Sequence, residues 1–424
     1  MEQAIVCSSA VSLATAHRDV STVHGRGAAP LRWTLDTSNM RRVFLLLFLL
    51  LVAAAVWVPS LHLWFRPSDV HEMVPALAAR QRELASQEGG AERAMLRRLN
   101  PEWDLMARTF SALAFANLAL REPERKAEHL AVVDALVSRT LDDERRGQEF
   151  FLLPYGHGRP FKDAAGRSLF IDGELALMLA ARQWVEPRAD WAPLLRERVD
   201  LIVGQLERAP ILAAESYPDQ GWTFCNTMAL AALRISDALD GRDHSSLRAR
   251  WVASAREHLV DARTGLLVAE FTYQGRTLDG PEGSTLWLAA HMLQLVDADF
   301  AREQYARARK ELIGELWGFA WAGEWPEAAP RAVADVDSGP TIPLVNVNAG
   351  SSGLAFVAAG AFEDTELLKG LLTSLRFAAF PVQEDTGLRF AAGNSLSDAV
   401  LLYSLTQGPL WRQVLFARKM EVVR

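Results

Sequence analysis

Residues 216–228, the segment SYPDQGWTFCNTM, combine reactive and polar side chains at short spacing. Pro218 and Asp219 predict a turn, after which Cys225 and Asn226 enter an apolar helix. A thiol at a helix N-terminus feels the positive end of the helix dipole, which lowers its pKa towards neutrality. The spacing therefore predicts a nucleophile or an acid–base group at Cys225. The alternative is that Cys225 is a small apolar core residue.

A second candidate is the carboxyl group of Glu174, within the apolar stretch FIDGELALM at residues 170–178. Burial among apolar side chains disfavours the charged carboxylate and raises its pKa. A carboxylic acid that keeps its proton at neutral pH can protonate a departing hydroxyl group. We therefore expect Glu174 to act as an acid, with Asp219 or Cys225 as its partner in one cavity.

Acidic or polar residues precede each of six apolar segments, and aromatic residues lie in the same connections. Residues of this kind are common helix N-caps, which is the alternative interpretation of any single one. Carboxylates beside aromatic rings also suit a concave small-molecule site. The candidate catalytic residues are Asp104, Glu174, Asp219 and Cys225. The candidate substrate-binding residues are Ser216, Tyr217, Trp222, Asn226, Asp279, Glu282, Trp287 and Asp337.

The elements that must position these residues alternate between two kinds of helix. One kind is apolar on nearly every side and requires burial, whereas the other has a single apolar stripe and suits a surface. Six such pairs between residues 100 and 424 predict a mainly α protein with an (α/α)6 barrel, a toroid of six helical hairpins. In such a ring the inner helices run parallel, so their N-termini meet at one opening. An open solenoid is the alternative, and residues 265–278 predict a short β-hairpin.

An apolar run without charged side chains, at residues 43–65, is long enough to cross a bilayer core of about 30 Å. Arginines before the run place the N-terminus in the cytoplasm and the main domain on the extracytoplasmic, periplasmic side. A cleaved signal peptide is the alternative. The predicted organisation is a cytoplasmic tail without ordered structure at 1–42, a transmembrane helix at 43–65, a helical stalk at 66–99 and the barrel at 100–424.

Composition narrows the function classes further. The 424 residues carry a formal net charge of −7, which argues against a nucleic-acid-binding protein. The two cysteines, Cys7 and Cys225, lie on opposite sides of the apolar run and are not expected to pair. The sequence contains no phosphate loop, dinucleotide fingerprint, nucleophile elbow or evident metal-ligand set. We expect a small apolar or hydroxylated substrate, no cofactor and no metal, and an oligomer is compatible with the sequence.

The motif at 216–228 resembles the linalool dehydratase/isomerase family, whose members carry a Cys-x-Pro-Asp-Asn turn followed by Gln-Cys-Asn-Ser at an inner helix. Pro218, Asp219, Cys225 and Asn226 match that pattern, and Thr227 stands where the family has serine. The stretch at 170–178 is similar to the family's Tyr-Lys-Gly-His-Leu-Asn-Leu-Met. The resemblance implies an (α/α)6 barrel over about residues 100–420.

The departures from this pattern concern the reacting groups. The family places two cysteines and a histidine around an allylic alcohol that it dehydrates, and here Ser216 replaces the first cysteine and Glu174 replaces the histidine. A family Asp followed six residues later by Tyr corresponds to Asp104, with Phe110 in place of the tyrosine. The resemblance implies a hydro-lyase or isomerase. Together with the apolar run at 43–65, the sequence predicts a membrane-anchored enzyme of this type acting on a terpenoid or lipid-like alcohol.

Two other functions remain open from the sequence. Paired carboxylates with aromatic platforms also suit a carbohydrate-active (α/α)6 enzyme, in which the carboxyl groups lie about 5–9.5 Å apart across an open groove. The loss of the family cysteine and histidine also fits an anchored binding module without catalysis. An enclosed apolar site that contains Cys225 would favour the hydro-lyase or isomerase.

Overall fold

The computed structural model describes residues 37–86, 90–328, 338–339, 341–342 and 345–421. These residues are mostly helical. The helices are α1 Thr37–Ser60, α2 Val74–Ala85, α3 Gly90–Leu99, α4 Pro101–Arg121, α5 Lys126–Glu144, α6 Leu169–Val185, α7 Ala192–Arg208, α8 Thr223–Asp240, α9 Ser245–His258, α10 Gly283–Leu293, α11 Ala298–Leu312, α12 Ala349–Ala361, α13 Thr365–Ala378, α14 Ser395–Thr406 and α15 Pro409–Glu421.

Short antiparallel strands lie in the connections and directly precede four helices: α8, α10, α12 and α14. One sheet has three strands in the order β1-β2-β3, and it contains the hairpin predicted at 265–278. The other strands form three separate hairpins. The strands are β1 Gly221–Trp222, β2 Glu270–Phe271, β3 Thr277–Asp279, β4 Ile313–Leu316, β5 Phe319–Ala322, β6 Thr341–Ile342, β7 Val347–Asn348, β8 Pro381–Glu384 and β9 Gly387–Phe390.

The chain divides into two units, residues 1–58 and residues 59–424. In the first unit, α1 begins the segment Met40–Trp64, which is long and apolar enough to cross a membrane. This segment agrees with the span predicted at 43–65. The predicted tail, apart from the start of α1, lies outside the described residues.

The second unit is built around a closed ring of six helices. Helices α4, α6, α8, α10, α12 and α14 each contact the next one, and α14 contacts α4. These are the six apolar segments predicted as inner helices, and most of their residues are buried except in α12, where the first half is partly exposed. Contact between α14 and α4 distinguishes a barrel from an open solenoid. The predicted (α/α)6 barrel is therefore confirmed.

Buried aromatic side chains link inner helices towards the C-terminal ends of α10 and α14. His291 on α10 forms a hydrogen bond of 2.6 Å with the Tyr403 hydroxyl on α14, and Tyr403 packs 5.8 Å from the Phe110 ring on α4. Burial lowers the pKa of His291 to about 3, so its imidazole is neutral. His291 also stacks on Trp411 of α15.

The segment predicted as a stalk instead fills the outer position between α14 and α4. The segment at 66–99 forms helices, but α2 packs against α14, α5 and β9 instead of leading away as a stalk. Leu77 and Gln81 of α2 are buried, and the Ser111 hydroxyl on α4 donates to Gln81 Oε1 at 2.9 Å. The sequence showed many charges here, yet one apolar stripe was enough to dock the helix.

Helix α15, predicted as the sixth outer helix, instead contacts three inner helices, α4, α6 and α8. The Leu410 backbone N–H donates to Asn117 Oδ1 near the C-terminal end of α4, and Arg234 on α8 donates to the Val414 backbone oxygen. The helix therefore covers the C-terminal ends of the inner helices. The N-terminal ends remain as the side where a site can form.

Leu77→Ala tests whether α2 belongs to the barrel. Leu77 is fully buried, so removing its side chain should lower the free energy of unfolding by about 2–5 kcal/mol. Leu99→Ala, at a position that is 66% exposed, is the matched control and should change it by less than about 0.5 kcal/mol. Urea denaturation of the full chain in detergent measures both. Equal stability of the two variants would mean that α2 is a separate stalk.

Candidate functional site

The N-terminal halves of α6 and α8 bring two predicted residues together. Gly173 on α6 faces α8, where an added Cβ would lie 3.4 Å from the Cys225 backbone oxygen and from Ala229. A larger residue would push the helices apart, so glycine permits this close approach. As a result Glu174, the next residue, lies near enough to Cys225 for its charge to affect the thiol.

Glu174 is a buried carboxyl group, 1% exposed. Neither of its oxygens has a hydrogen-bond partner among the described residues. Burial raises the pKa of Glu174 from 4.5 to about 8. The Thr109 hydroxyl on α4 is close enough to lower that pKa slightly, although it donates its own proton to the Leu105 backbone oxygen at 3.3 Å. Glu174 is therefore mainly a neutral acid at pH 7, as the sequence predicted.

The thiol of Cys225 differs from the sequence-based expectation. Its pKa is raised well above the ordinary value, chiefly by burial, and the charges of Glu174 and Glu102 raise it further. A hydrogen bond with the Ser216 side chain acts in the opposite direction. The predicted lowering by the helix dipole is therefore wrong, because removal from water outweighs it. Cys225 is a protonated thiol at neutral pH.

The loop before α8 holds Ser216 in place. The Ser216 backbone N–H donates to the Gln220 oxygen at 2.8 Å, and its carbonyl accepts from the Ser168 hydroxyl at 2.7 Å. Its own hydroxyl accepts from the Trp222 backbone N–H at 3.3 Å. Because Ser168 is the N-cap of α6, this loop is tied to the start of the helix that carries Glu174.

Tyr217 brings a second carboxylate into the group. Its hydroxyl donates to Glu102 Oε1 at 2.7 Å and accepts from the Leu153 backbone N–H at 2.8 Å. Burial, and then the charge of Glu102, raise the pKa of Tyr217, so the phenol keeps its proton. The ring stacks on Tyr155 with 4.8 Å between centroids. Glu102 is thus held in position by the Tyr217 hydroxyl.

Gly156→Ala tests the positioning of Tyr217. An added Cβ at Gly156 would lie 2.5 Å from Tyr217 Cδ1, and the ring cannot retreat without losing its two hydrogen bonds. We expect a loss of about 1–3 kcal/mol in unfolding free energy. Gly353→Ala, on α12 with open space at the Cβ position, is the control and should be neutral or stabilising. If both variants have the same melting temperature, Tyr217 is not held as described.

The group so far consists of Glu174, Cys225, Ser216, Tyr217 and Glu102. The family model for linalool dehydratase/isomerase matches residues 172–396, more than half of the chain, and this range includes the first four of these residues. The chain belongs to the linalool dehydratase/isomerase family. None of the curated proteins matches it significantly.

Solved structures agree on the architecture. An unsaturated glucuronyl hydrolase from Bacillus sp. GL1 is similar with a TM-score of 0.50 at 12% identity, covering 79% of this chain and 95% of the hydrolase. An α-mannanase from Bacteroides thetaiotaomicron has a TM-score of 0.43 at 11% identity, covering 74% of this chain and 87% of the mannanase. At such low identity the likeness to the hydrolase shows the (α/α) barrel fold alone.

Asp219, which matches the family motif of the linalool dehydratase/isomerases, does not join Glu174 and Cys225. It has a left-handed backbone, with φ of 63°, in the turn between Tyr217 and Gln220. Its carboxylate accepts from the Tyr273 backbone N–H at 3.3 Å and lies 3.8 Å from Lys162 Nζ. The side chain is partly exposed. The structure therefore gives Asp219 a role in the turn instead of the predicted place in the cavity.

Asp104 also lies outside the group. Arg108, one helical turn later, donates to both of its oxygens, at 2.6 and 3.2 Å. Arg108 also donates to Asp143 on α5 at 2.8 Å. This buried ion pair joins α4 to α5. The predicted catalytic role of Asp104 is not supported by this geometry, because both carboxylate oxygens are engaged by a guanidinium group.

Asn226, predicted to bind substrate, forms a structural link. Its amide accepts from the Ala214 N–H at 2.9 Å and donates to the Ala214 oxygen at 3.1 Å and the Trp222 oxygen at 3.0 Å. These bonds use both of its N–H groups. Trp222 itself is half-buried and packs edge-on against Phe224 at 6.2 Å. Of this pair only Trp222 keeps surface for a substrate.

The remaining predicted contacts lie at other inner helices. Trp287 is buried in α10 and donates to the Ser351 hydroxyl at 3.0 Å. Asp279 ends β3 and accepts from the Gly280 N–H at 3.1 Å, while Glu282 is the buried residue directly before α10. No described contact joins any of these three residues to Glu174. Asp337 lies outside the described residues.

Sequence reasoning missed Glu102, Thr109 and Glu324. Glu102 lies in the first turn of α4. We selected acidic residues near the starts of other inner helices, so the same pattern could have identified Glu102. No sequence pattern identifies Thr109. Glu324 follows β5; burial raises its pKa from 4.5 to about 7, and Ser284 donates to its Oε1 at 2.5 Å. The burial of Glu324 depends on the packing of β5 against α12 and α13, which the sequence does not reveal.

Proposed function

We propose that this protein is a membrane-anchored enzyme that dehydrates or isomerises a terpenoid or another lipid-like alcohol by acid–base chemistry. The observation that carries the proposal is Glu174. This carboxyl group is buried, has no hydrogen-bond partner among the residues described, and stands beside Cys225, which occupies the position of a family cysteine. A carboxyl group in that state holds a proton that it can give to a substrate oxygen.

The proposed reaction uses two carboxyl groups in turn. Glu174 donates its proton to the hydroxyl group, the C–O bond breaks, and water leaves. Glu102 accepts a proton from the neighbouring carbon, and the electrons of that C–H bond form the new C=C bond. The proton returns to Glu174 through Cys225, whose thiol is affected by the charges of both carboxyl groups. Alternatively, water adds to the other end of an allylic cation and gives one proton to the Glu174 carboxylate, which yields the isomerised alcohol.

The surroundings fit an apolar substrate. The inner helices that carry the group are apolar on nearly all sides. The half-buried residues Glu102, Trp222 and Phe224 mark the side from which a substrate reaches it. The apolar segment Met40–Trp64 supports anchoring, and the arginines before it favour a barrel outside the cytoplasm. An anchored barrel can take an apolar alcohol directly from the bilayer.

Two competing functions lead to different outcomes. A carbohydrate-active enzyme would need carboxyl groups across an open groove, whereas Glu174 is enclosed. The similar glycoside hydrolases support that function only through a shared fold. An anchored binding module would bind an alcohol without turnover.

The test is to incubate the full-length protein in lipid nanodiscs with hydroxylated terpenoids and long-chain alcohols. We expect mass spectrometry to detect an alkene lighter by one water, or an isomeric alcohol that incorporates oxygen from isotope-labelled water. Release of sugar from mannan or unsaturated glucuronides, with no alcohol consumed, would replace the proposal with the carbohydrate function. Saturable binding of an alcohol without turnover would replace it with the binding module.

A further inference from the structure

Large apolar side chains are exposed on the barrel unit where the chain leaves the apolar segment. Leu63 and Trp64, at the end of that segment, are 65% and 79% exposed. Leu316 and Trp317, in the turn between β4 and β5, are each 50% exposed, and Phe377 on α13 is 47% exposed. We refer to these five residues as the apolar patch.

Contacts beneath these residues show that they share one surface. An added Cβ at Gly318, the residue after Trp317, would lie 2.6 Å from the His62 ring. The rings of His62 and Phe319 are 6.5 Å apart, and Phe65 packs edge-on against Phe377 at 5.2 Å. The turn and α13 therefore lie directly against the residues that surround Trp64 in the chain.

The backbone of the turn indicates that Trp317 is held outwards. Trp317 and Gly318 have φ values of 47° and 81°, so the tight turn between β4 and β5 has two residues in left-handed conformation. Such turns favour asparagine or glycine at the first position, and tryptophan is strained there. The Trp317 side chain is half exposed, and its indole has no described hydrogen bond. Neither burial nor hydrogen bonding therefore compensates for this strain.

Paired charged side chains border the patch. A surface depression of about 330 Å³ is lined by Leu316 and Trp317, by the cations Arg66, Arg309 and Lys369, and by the carboxylates Glu315 and Glu366 that pair with them. Tryptophan beside arginine and lysine is typical of the level at which lipid headgroups meet acyl chains.

We propose that the apolar patch inserts into the headgroup level of the bilayer. This inference rests on the proposed anchoring, because it requires the segment that ends at Trp64 to span that bilayer. The continuity of the patch with the segment is what selects a lipid surface over a second copy of the chain. The surface formed by Trp64 and Trp317 would then be held at the headgroup level.

The experiment uses full-length protein with Cys7→Ser, reconstituted in vesicles of phosphatidylcholine and phosphatidylglycerol. Trp317→Cys carries an environment-sensitive fluorophore, and Cys225 is buried and does not compete for the label. Lipids with a quencher near the headgroup should reduce the fluorescence at 317 at least about twofold more than lipids with a quencher deep in the acyl chain. Leu194→Cys, on the outer helix α7 at 36% exposure, is the matched control and should not be quenched.

A third label, at Val52→Cys within α1, distinguishes the proposed anchoring from the proposed insertion of the apolar patch. Quenching at 52 by the deep quencher without quenching at 317 would leave the anchor intact and overturn the inference. Absence of quenching at both positions would remove the anchor and the inference together. A blue-shifted label at 317 that ignores both lipid quenchers would mean that protein, such as a second copy, covers the patch, and this too would overturn it.

Discussion

Replacing Glu174 with glutamine is expected to reduce turnover of an alcohol by about 10²–10⁴-fold while the protein stays folded at neutral pH. Glutamine has nearly the same shape but no acidic proton. Because neither oxygen of Glu174 has a described hydrogen-bond partner, the substitution breaks no contact that supports the barrel.

A second prediction for Glu174→Gln can be tested without a substrate. The pKa of Glu174 is about 8 in the folded protein against an ordinary 4.5, so the folded state holds a proton that the unfolded state releases. The associated stability is complete below pH 4.5 and is lost as the pH rises through 8. Glu174→Gln should therefore be more stable than the unmodified protein at pH 9, by on the order of 4 kcal/mol, and similar to it at pH 5.

Urea denaturation at several pH values measures this difference. Glu324→Gln is the matched control, because the pKa of Glu324 is raised only to about 7 and its stabilising proton is lost in a lower pH window. If Glu174→Gln shows the same pH dependence as the unmodified protein, Glu174 is ionised in the folded state and cannot serve as the acid.

Arg108→Met is expected to destabilise the barrel by about 3–5 kcal/mol. Arg108 bonds Asp104 at 2.6 Å and Asp143 at 2.8 Å, and its removal leaves two buried carboxylates without their main partner. Methionine keeps much of the side-chain length, so loss of packing contributes little. Chemical denaturation in detergent is the measurement.

Two further variants show whether the destabilisation comes from the lost ion pairs or from lost packing. Arg145→Met removes an ion pair with Asp142 that is exposed on both sides, and it should have no measurable effect. Adding Asp104→Asn and Asp143→Asn to Arg108→Met should restore part of the lost stability. If the triple variant is as unstable as the single one, the effect comes from packing, and Asp104 is released for the catalytic role that the sequence suggested.

Hydrophobic periodicity predicted the two kinds of helix and the number of hairpins. Helices that are apolar on every side, such as α10 and α14, require burial, but only the contact between α14 and α4 distinguishes a closed ring from an open solenoid. Glu174 was predictable for the same reason, because a lone carboxyl in such a helix has no water to stabilise its charge.

Other features depended on residues far apart in sequence. The pKa of Cys225 is set by burial and by charges from α4 and α6, none of which the local helix start reveals. Asp104 and Arg108 are four residues apart, a spacing that indicates an ion pair, but the third member, Asp143, is supplied by another helix. The position of α2 depended on contacts with α14, more than 300 residues later in the chain.

That position has a consequence for how the protein is made. The first helix of the barrel to leave the ribosome docks against the last inner helix, so the ring cannot be completed until almost the whole chain has been synthesised. Until then the apolar inner helices lack a full set of neighbours, and incomplete nascent chains present surfaces that aggregate. Shortened versions that lack residues 66–99 would leave the outer faces of α14 and α5 without their α2 neighbour, so a soluble version for biochemistry should begin before α2.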